Sequence, residues 1–460
     1  MTAAVEETGL GQAAGKAATL VRDSVKTVIA ASMVGTAIEF YDFYAYGTAA
    51  ANYFPHIFFS AKDNPTVALL MSLLTFAVAF IARPLGSLIF GHFGDRMGRK
   101  TTLVVSLMTM GVGTFLIGCL PTYDQVGVGA VAILCLLRFI QGIGLGGEWS
   151  GAALVATENA PEDKRALYGS FPELGAPIGF FLSNGTYFVL ESFNNQDAML
   201  AWGWRVPFLL AGPLGLIVLY IRAKLADSPV YQSMNDALES KGAASADGQI
   251  AAKSGMFAPL AELFHNHLKA LIISFGACVL NAVGFYTVLT YLPTYLSDTV
   301  GMDAPQSGTI TTICLVAYVF MVFGMGHISD KFGRKKVLIG ACVAFIVLTV
   351  PAFLILNTSQ FWPVLLVELA MCATLTANDG TLSSYLTETF PTSVRFTGFA
   401  FSFNLANAIF GGTASFIATG LIALTGSSIA PAWYMVGVAA IALVAMILSH
   451  ENTDKDLNHI

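Results

Sequence analysis

A ten-residue polar turn occurs twice in this chain, as Gly91-His92-Phe93-Gly94-Asp95-Arg96-Met97-Gly98-Arg99-Lys100 and as Gly326-His327-Ile328-Ser329-Asp330-Lys331-Phe332-Gly333-Arg334-Lys335. Each copy is wedged between two long apolar runs, so the chain reads as two related halves embedded in a membrane, an organisation of transporters more than of enzymes. The apolar runs pass well beyond the roughly 20 residues that cross a bilayer core. Only 11% of the residues are charged, against about 25% in soluble domains.

The apolar pattern predicts twelve spans, near 27–48, 66–90, 101–120, 128–157, 167–190, 204–224, 268–296, 308–327, 336–356, 361–387, 396–424 and 431–449. Glu39 and Asp42 interrupt the first, where a cleaved signal needs an unbroken apolar core, so it is expected to stay in the protein. With the N-terminus inside, 19 of the 23 Lys and Arg fall on cytoplasmic segments, including Lys16, Arg22, Lys26, Lys224, Lys241, Lys253 and Lys455, and only Lys62 and Arg205 fall outside. Charge asymmetry therefore places both termini in the cytoplasm of a multi-pass plasma-membrane protein.

The expected domains are a cytoplasmic tail (1–26), a six-helix bundle (27–226), a polar inter-domain loop (227–267), a second six-helix bundle (268–449) and a short cytoplasmic tail (450–460). The loop is long enough to serve as a linker between bundles that move against each other. Six cysteines lie singly in apolar runs, no metal-ligand spacing or phosphate loop occurs, and no nucleophile stands beside a base. Neither enzyme activity, nor a metal, nor a cofactor is expected. The expected partners are protons, a small-molecule substrate and the lipid bilayer, not nucleic acid, with a monomer as the working unit.

A second repeat supports the duplication: Glu158-x-x-Pro161-x-x-x-Arg165 after the fourth span and Glu388-x-x-Pro391-x-x-x-Arg395 after the tenth. Alone, each reads as a solvated helix end with a Pro stop. In the turns, Asp95 is placed to accept hydrogen bonds from a neighbouring helix N-terminus or to pair with Arg99, while the glycines let helices approach.

An ionisable side chain near the bilayer centre costs on the order of 2.5–3.5 kcal/mol by insertion scales, so each implies a partner or a wet cavity. Glu39, Asp42, Arg138, Glu148, Glu173, Glu368 and Asp379 are such residues; Arg83, nearer the inner surface, reads as a brace for the turn. Glu39 and Asp42, three residues apart, share one helical face. Burial and a neighbouring like charge favour a protonated carboxyl, whereas a nearby guanidinium favours the ionised form. A site combining these effects is able to take or release a proton as Arg138 engages or leaves.

Gly91 to Lys100 closely resembles the signature of the major facilitator superfamily between its second and third helices, and Gly326 to Lys335 resembles the weaker copy between the eighth and ninth. Within that superfamily, Glu39-Phe-Tyr-Asp42-Phe-Tyr, Ala82-Arg83-Pro84-Leu-Gly86 and Arg138-Phe-Ile-Gln-Gly142-Ile-Gly144-Leu-Gly-Gly147-Glu148 look like the metabolite:proton symporter group, whose members carry shikimate, α-ketoglutarate, citrate, or proline and betaine. The resemblance implies an all-α membrane protein of the major facilitator fold, twelve transmembrane helices in two pseudo-symmetric six-helix bundles. It also implies that Asp95, Arg96, Arg99, Arg83, Asp330, Arg334, Glu158, Arg165, Glu388 and Arg395 form gates that latch the bundles in the outward-facing state. Topology alone is the other explanation of the basic turns.

Related proton-coupled sugar carriers set an Asp in the first helix against an Arg in the fourth, which suggests Asp42 with Arg138 here. Protonation of Asp42 then frees Arg138 for a substrate carboxylate, or substrate takes the arginine away and favours the protonated acid; the two ligands are coupled reciprocally either way. A static ion pair joining two helices is the structural alternative. The seventh span aligned on the first sets Phe285-Tyr286 against Phe40-Tyr41, but Gly284 and Thr287 stand for Glu39 and Asp42, so the proton-handling acids concentrate in the N-terminal half.

Candidate substrate contacts are Arg138, Tyr41, Tyr44, Glu148, Glu173, Tyr286, Asn378 and Asn404, each with packing or helix-joining as its plainer use. The function implied is proton-coupled import of a small organic acid by alternating access, shikimate-like or dicarboxylate, with a compatible solute such as proline or betaine as the alternative. A faint likeness of Gly175-Ala-Pro177 to the fifth-helix signature of drug antiporters keeps proton-driven efflux as a further alternative, and an adaptor that kept the fold without transport is another.

Overall fold

A computed structural model describes residues 25–59, 64–223, 227–234, 236, 258–453 and 456–457. The N-terminal tail before 25, residues 237–257 of the linker and the cations Lys16, Arg22, Lys62, Lys224, Lys241, Lys253 and Lys455 lie outside the described residues. No strand occurs among the described residues. A helix satisfies its backbone within one segment, which hydrocarbon requires.

Six long helices form the first bundle: α1 (Val25–Asn52), α2 (Pro65–Met97), α3 (Arg99–Gly118), α4 (Val128–Glu158), α5 in the pieces Arg165–Gly169, Phe171–Leu174 and Gly175–Phe193, and α6 (Arg205–Ala223). The second bundle holds α7 (Leu268–Phe285, continuing to Thr299), α8 (Ala304–Phe332), α9 (Arg334–Leu356), α10 (Phe361–Thr389), α11 (Arg395–Ala406, continuing through Ala414–Thr425) and α12 (Ala430–Leu448). Ten of these are long and apolar enough to cross a membrane. α1 and α5 complete the first set of six; Glu39 and Asp42, and Ser183, Asn184 and Glu191, lower their hydropathy. The bundles meet where α2 packs on α11, and α5 on α8 and α10.

Two of the helices widen to π turns, α7 at Tyr286–Tyr291 and α11 at Asn407–Gly411. Such bulges re-aim side chains and favour functional positions; here they deliver Tyr286 and Asn407 to one cavity.

Each signature turn pivots on a glycine with positive φ, 104° at Gly98 and 98° at Gly333, a conformation that disfavours side chains. The helix that follows is capped by the chain just beyond the last helix of its own bundle. Asp227 accepts the Lys100 N–H at 2.8 Å. In the second half, Thr453 accepts from the Arg334 N–H at 3.0 Å and Glu451 from the Lys335 N–H at 3.1 Å. These acids satisfy the open N–H groups and face the positive helix end.

The linker is more than the plain loop that its polar composition predicts. Residues 229–234 are helical, as is Ala258–Asn266. Leu263 of the latter helix is buried with Leu271, Phe390 and Val394, and Glu262 accepts from Ser393 at 2.8 Å, which docks it on the α10–α11 corner.

Candidate functional site

Three side chains from two helices make one buried relay at the centre of the first bundle. The Arg138 guanidinium lies 3.7 Å from Asp42, with Gln141 between them. Gln141 accepts from Arg138 at 2.9 Å, donates to Asp42 at 3.2 Å, and donates to the Thr114 hydroxyl at 2.7 Å. The same guanidinium sits 3.7 Å above the Tyr46 ring, a cation–π contact that strengthens out of water. Gln141 falls one helical turn after Arg138, so a single face of α4 carries both. Protonating Asp42 would leave Arg138 held only by an amide oxygen and a ring face.

One turn from Asp42, Glu39 pairs with Arg83 of α2 at 2.5 Å, and its second oxygen has no protein partner. Glu39, Arg83, Glu173, Asn281 and Asn407 supply the polar lining of a cavity on the boundary between the bundles; Phe40, Trp149, Phe285, Tyr286 and Phe403 supply the aromatic lining. Its free volume is about 20 Å³, enough for one water and not for a metabolite. Rings from opposite bundles close it: Phe40 on Phe285 at 5.7 Å, Phe43 on Tyr286 at 5.9 Å and Trp149 stacked on Phe403 at 3.8 Å. The lining Asn281 donates to Asp379, which also accepts from the Tyr318 hydroxyl, at 2.7 Å each. A roomier concavity of about 330 Å³ between α3 and α6 is lined by apolar and small residues alone and carries no chemistry.

The signature turns build two crossed latches. Asp95 accepts from the backbone N–H of Phe396 and Thr397 at 2.9 Å each, at the start of α11, and pairs with Arg99 at 2.8 Å. Asp330 accepts from the backbone N–H of Ala166 and Leu167 at 2.8 and 2.9 Å, at the start of α5, and pairs with Arg334 at 2.9 Å. The acids of the second repeat cross over as well. Glu158 meets Arg395 at 3.0 Å and Arg99 at 3.6 Å; Glu388 meets Arg334 at 3.2 Å and Arg165 at 3.6 Å. Backbone carbonyls add to this, since Arg395 donates to Leu457 at 2.9 Å and Arg99 to Thr392 at 3.2 Å. Ser329, which replaces the first copy's Gly94, costs the second latch nothing in geometry: Arg334 donates to its carbonyl at 3.0 Å, as Arg99 does to Gly94 at 2.7 Å.

Several residues sit elsewhere than their sequence reading places them. Arg83 braces Glu39 rather than the turn, because Pro84 and the following turns carry α2 onward to the signature before it ends. Tyr41 faces away from the cavity and donates to the Pro207 carbonyl at 2.9 Å, being one residue out of phase with Phe40. Glu148 is consumed by Arg222 of α6 at 2.7 Å. Asn404 bridges the bundles through the Gly146 carbonyl at 2.9 Å, and Asn378 is buried outside the cavity lining. Tyr44 packs on Phe180 at 5.1 Å beside the site, and Arg96 is exposed with its carbonyl on Tyr231. Glu173 and Tyr286 do line the cavity. Local sequence pattern does not mark Arg222, Trp149 or Phe403 as site or ion-pair residues, and marks Gln141 only by its place three residues after Arg138.

The model of the sugar (and other) transporter family matches residues 27–460. The chain is 41% identical over 443 residues to the inner membrane metabolite transport protein YhjE of Escherichia coli K12, covering 95% of this chain and 96% of that one. It is 34% identical over 433 residues to the glycine betaine/proline/ectoine/pipecolic acid transporter OusA of Dickeya dadantii, covering 94% and 85%. Among solved structures, the major facilitator superfamily proton:xylose symporter XylE bound to 6-bromo-6-deoxy-D-glucose superposes with a TM-score of 0.77 at 18% identity, over 94% of this chain and 98% of that one.

Proposed function

Since the chain belongs to the sugar (and other) transporter family of the major facilitator superfamily, we propose that it is a proton-coupled symporter of a small carboxylate-bearing metabolite. Import runs by alternating access, with the bundles 27–226 and 268–449 rocking about the central cavity as a monomer in the cytoplasmic membrane, both termini inside. The observation that carries this reading is the Asp42–Gln141–Arg138 relay, buried at the bundle centre, with Asp42 and Arg138 lining a small cavity that Glu39, Arg83 and Tyr286 also line. A proton on Asp42 removes the charge that competes for Arg138, so proton and anionic substrate favour one another's binding. Asp95, Arg99, Asp330, Arg334, Glu158, Arg165, Glu388 and Arg395 hold the cytoplasmic side shut; Glu39 and Arg83 stand at the cavity as a second ion pair that a charged ligand is able to open.

A second reading, a zwitterionic compatible solute, draws on one feature of the cavity: both arginines already hold carboxylates, and Glu39 and Glu173 border rings of Phe40, Trp149, Phe285, Tyr286 and Phe403. Acid beside aromatic faces suits a quaternary ammonium group. The test is proton flux in proteoliposomes given organic acids, betaine or proline in turn. Alkalinisation of the outer medium on adding one of them supports symport and identifies the class. Acidification means antiport, and no solute flux with any candidate overturns the assignment.

A further inference from the structure

The Gln141 amide has its orientation fixed from both ends. Its oxygen accepts from Arg138 at 2.9 Å, and a guanidinium is able only to donate. Its nitrogen donates to the Thr114 hydroxyl at 2.7 Å, and that hydroxyl has spent its own hydrogen on the Met110 carbonyl at 3.0 Å. The same nitrogen faces both oxygens of Asp42, at 3.2 and 3.3 Å, a sharing that suits an ionised carboxylate. Asp42, Thr114, Arg138 and Gln141 are all buried.

Hydrogen-bond arithmetic changes when Asp42 takes a proton. Gln141 through its nitrogen, and Arg138 at 3.7 Å, both present donors to the carboxyl, so a new O–H finds no acceptor on either. Leaving a buried polar group unpaired costs about 1–3 kcal/mol. The last torsion of a glutamine is soft and roughly two-fold. Turning the amide over brings its oxygen to the Asp42 O–H, and the Thr114 hydroxyl rotates to donate to it. The amide nitrogen then points at Arg138, donor against donor, and the guanidinium loses the oxygen that held it. Arg138 Nε already has no protein partner among the described residues. A released guanidinium therefore offers two nitrogens to an anionic ligand in the small cavity that Asp42 and Arg138 line.

We infer that Gln141 is a positioning residue that carries the charge state of Asp42 to Arg138 by turning its amide, so that the neutral acid and the amide-held arginine exclude each other. The inference rests on the proton-coupled reading above and deepens it by naming the part that moves. One proton passes from water to an Asp42 oxygen, and otherwise only hydrogen bonds are exchanged. The other titratable groups around Asp42 are Glu39 on its own helix, paired with Arg83 of α2 at 2.5 Å, and Tyr41 and Tyr46 of α1, the second bonded to Thr75 of α2 at 2.6 Å. Tyr187 of α5 is bonded to the Ala45 carbonyl at 2.9 Å, and Tyr286 of α7 lines the same cavity.

The Tyr46 ring is the reporter, because the Arg138 guanidinium lies 3.7 Å from its centre and its departure changes the field on the ring. Purified full-length protein is titrated from alkaline to acidic pH. Infrared spectra should show a carboxylic-acid band that is absent from Asp42→Asn, which separates it from Glu39. Ultraviolet difference spectra should show a tyrosine shift that is absent from Tyr46→Phe, with the same midpoint as the band. Gln141→Met keeps the side chain's length without the amide, and Gln141→Leu is a second apolar variant. In either, the Asp42 band should still titrate while the Tyr46 shift is lost. A Tyr46 shift that follows the band in these variants would overturn the inference, since Asp42 would then act on Arg138 through its field alone. Two separate midpoints in the wild type would overturn it too, with no variant at Gln141 needed. A wild type in which no acid band depends on Asp42 would remove the proton-coupled reading together with the inference, so the two failures are told apart.

Discussion

Asp95 holds Thr397 twice, through its backbone N–H at 2.9 Å and its hydroxyl at 2.7 Å, although the two residues belong to different bundles. The carboxylate also takes the Phe396 N–H and the Arg99 guanidinium, so one buried side chain joins the end of α2 to the start of α11. Asp330 does the same between α8 and α5. Neither bundle contains a whole latch, and opening has to break both.

Asp95→Asn removes the charge that four donors face. Hydrogen bonds to charged groups contribute about 1.5–3 kcal/mol each, so the closed state should lose at least tenfold in population. A cysteine introduced at Ser383, buried where α5 meets α10, should then be alkylated about tenfold faster in a background without native cysteines. An unchanged rate would mean that Asp95 does not hold the closed state.

Gly91→Val tests the same closure by shape. A Cβ at Gly91 would lie 2.6 Å from the Thr397 Cα, a backbone contact unable to yield. The variant should expose the thiol of Ser383→Cys as Asp95→Asn does, with every latch acid intact. Gly326→Ala, whose nearest contacts are 3.0 Å away on Ala166 and Leu167, should have a weaker effect.

Asp42→Asn should abolish uphill accumulation driven by a pH gradient while substrate counterflow between equal pH compartments persists, because exchange needs no net proton movement. Radiolabelled uptake and counterflow in the same vesicles measure the two. Accumulation at the wild-type level would rule Asp42 out as a coupling site.

Arg222→Met leaves Glu148 charged and buried without its partner at 2.7 Å. Breaking a buried pair costs about 3–5 kcal/mol, whereas replacing both members by apolar residues is often near neutral. The unfolding temperature of the detergent-solubilised single variant should fall, and Glu148→Met with Arg222→Met should restore most of it. Equal losses in both would show that the pair is not what stabilises α4 against α6.

The duplicated turns and the span count were legible in the alternation of apolar runs and charged turns, and the meeting of Asp42 with Arg138 through the resemblance to carriers that set an Asp of the first helix against an Arg of the fourth. Which way a helix faces was not. Tyr41 and Phe40 differ by about 100° around α1, and only tertiary packing decides that Phe40 meets Phe285 while Tyr41 reaches Pro207. Arg222 enters the sequence reading only as one of the 19 cytoplasmic cations, yet it turns inward because Glu148 lies buried opposite. Gln141 carries no charge to mark it, and its importance arises from Thr114, Asp42 and Arg138 converging around one amide. The caps by Asp227 and Glu451 bring together positions more than a hundred residues apart, a distance at which local pattern is silent.

The stack of Trp149 on Phe403 makes admission to the cavity a contest between solutes and rings. A visitor has to separate two faces 3.8 Å apart that already satisfy each other, so it gains a place only by offering something the rings prefer. Size alone therefore does not grant passage.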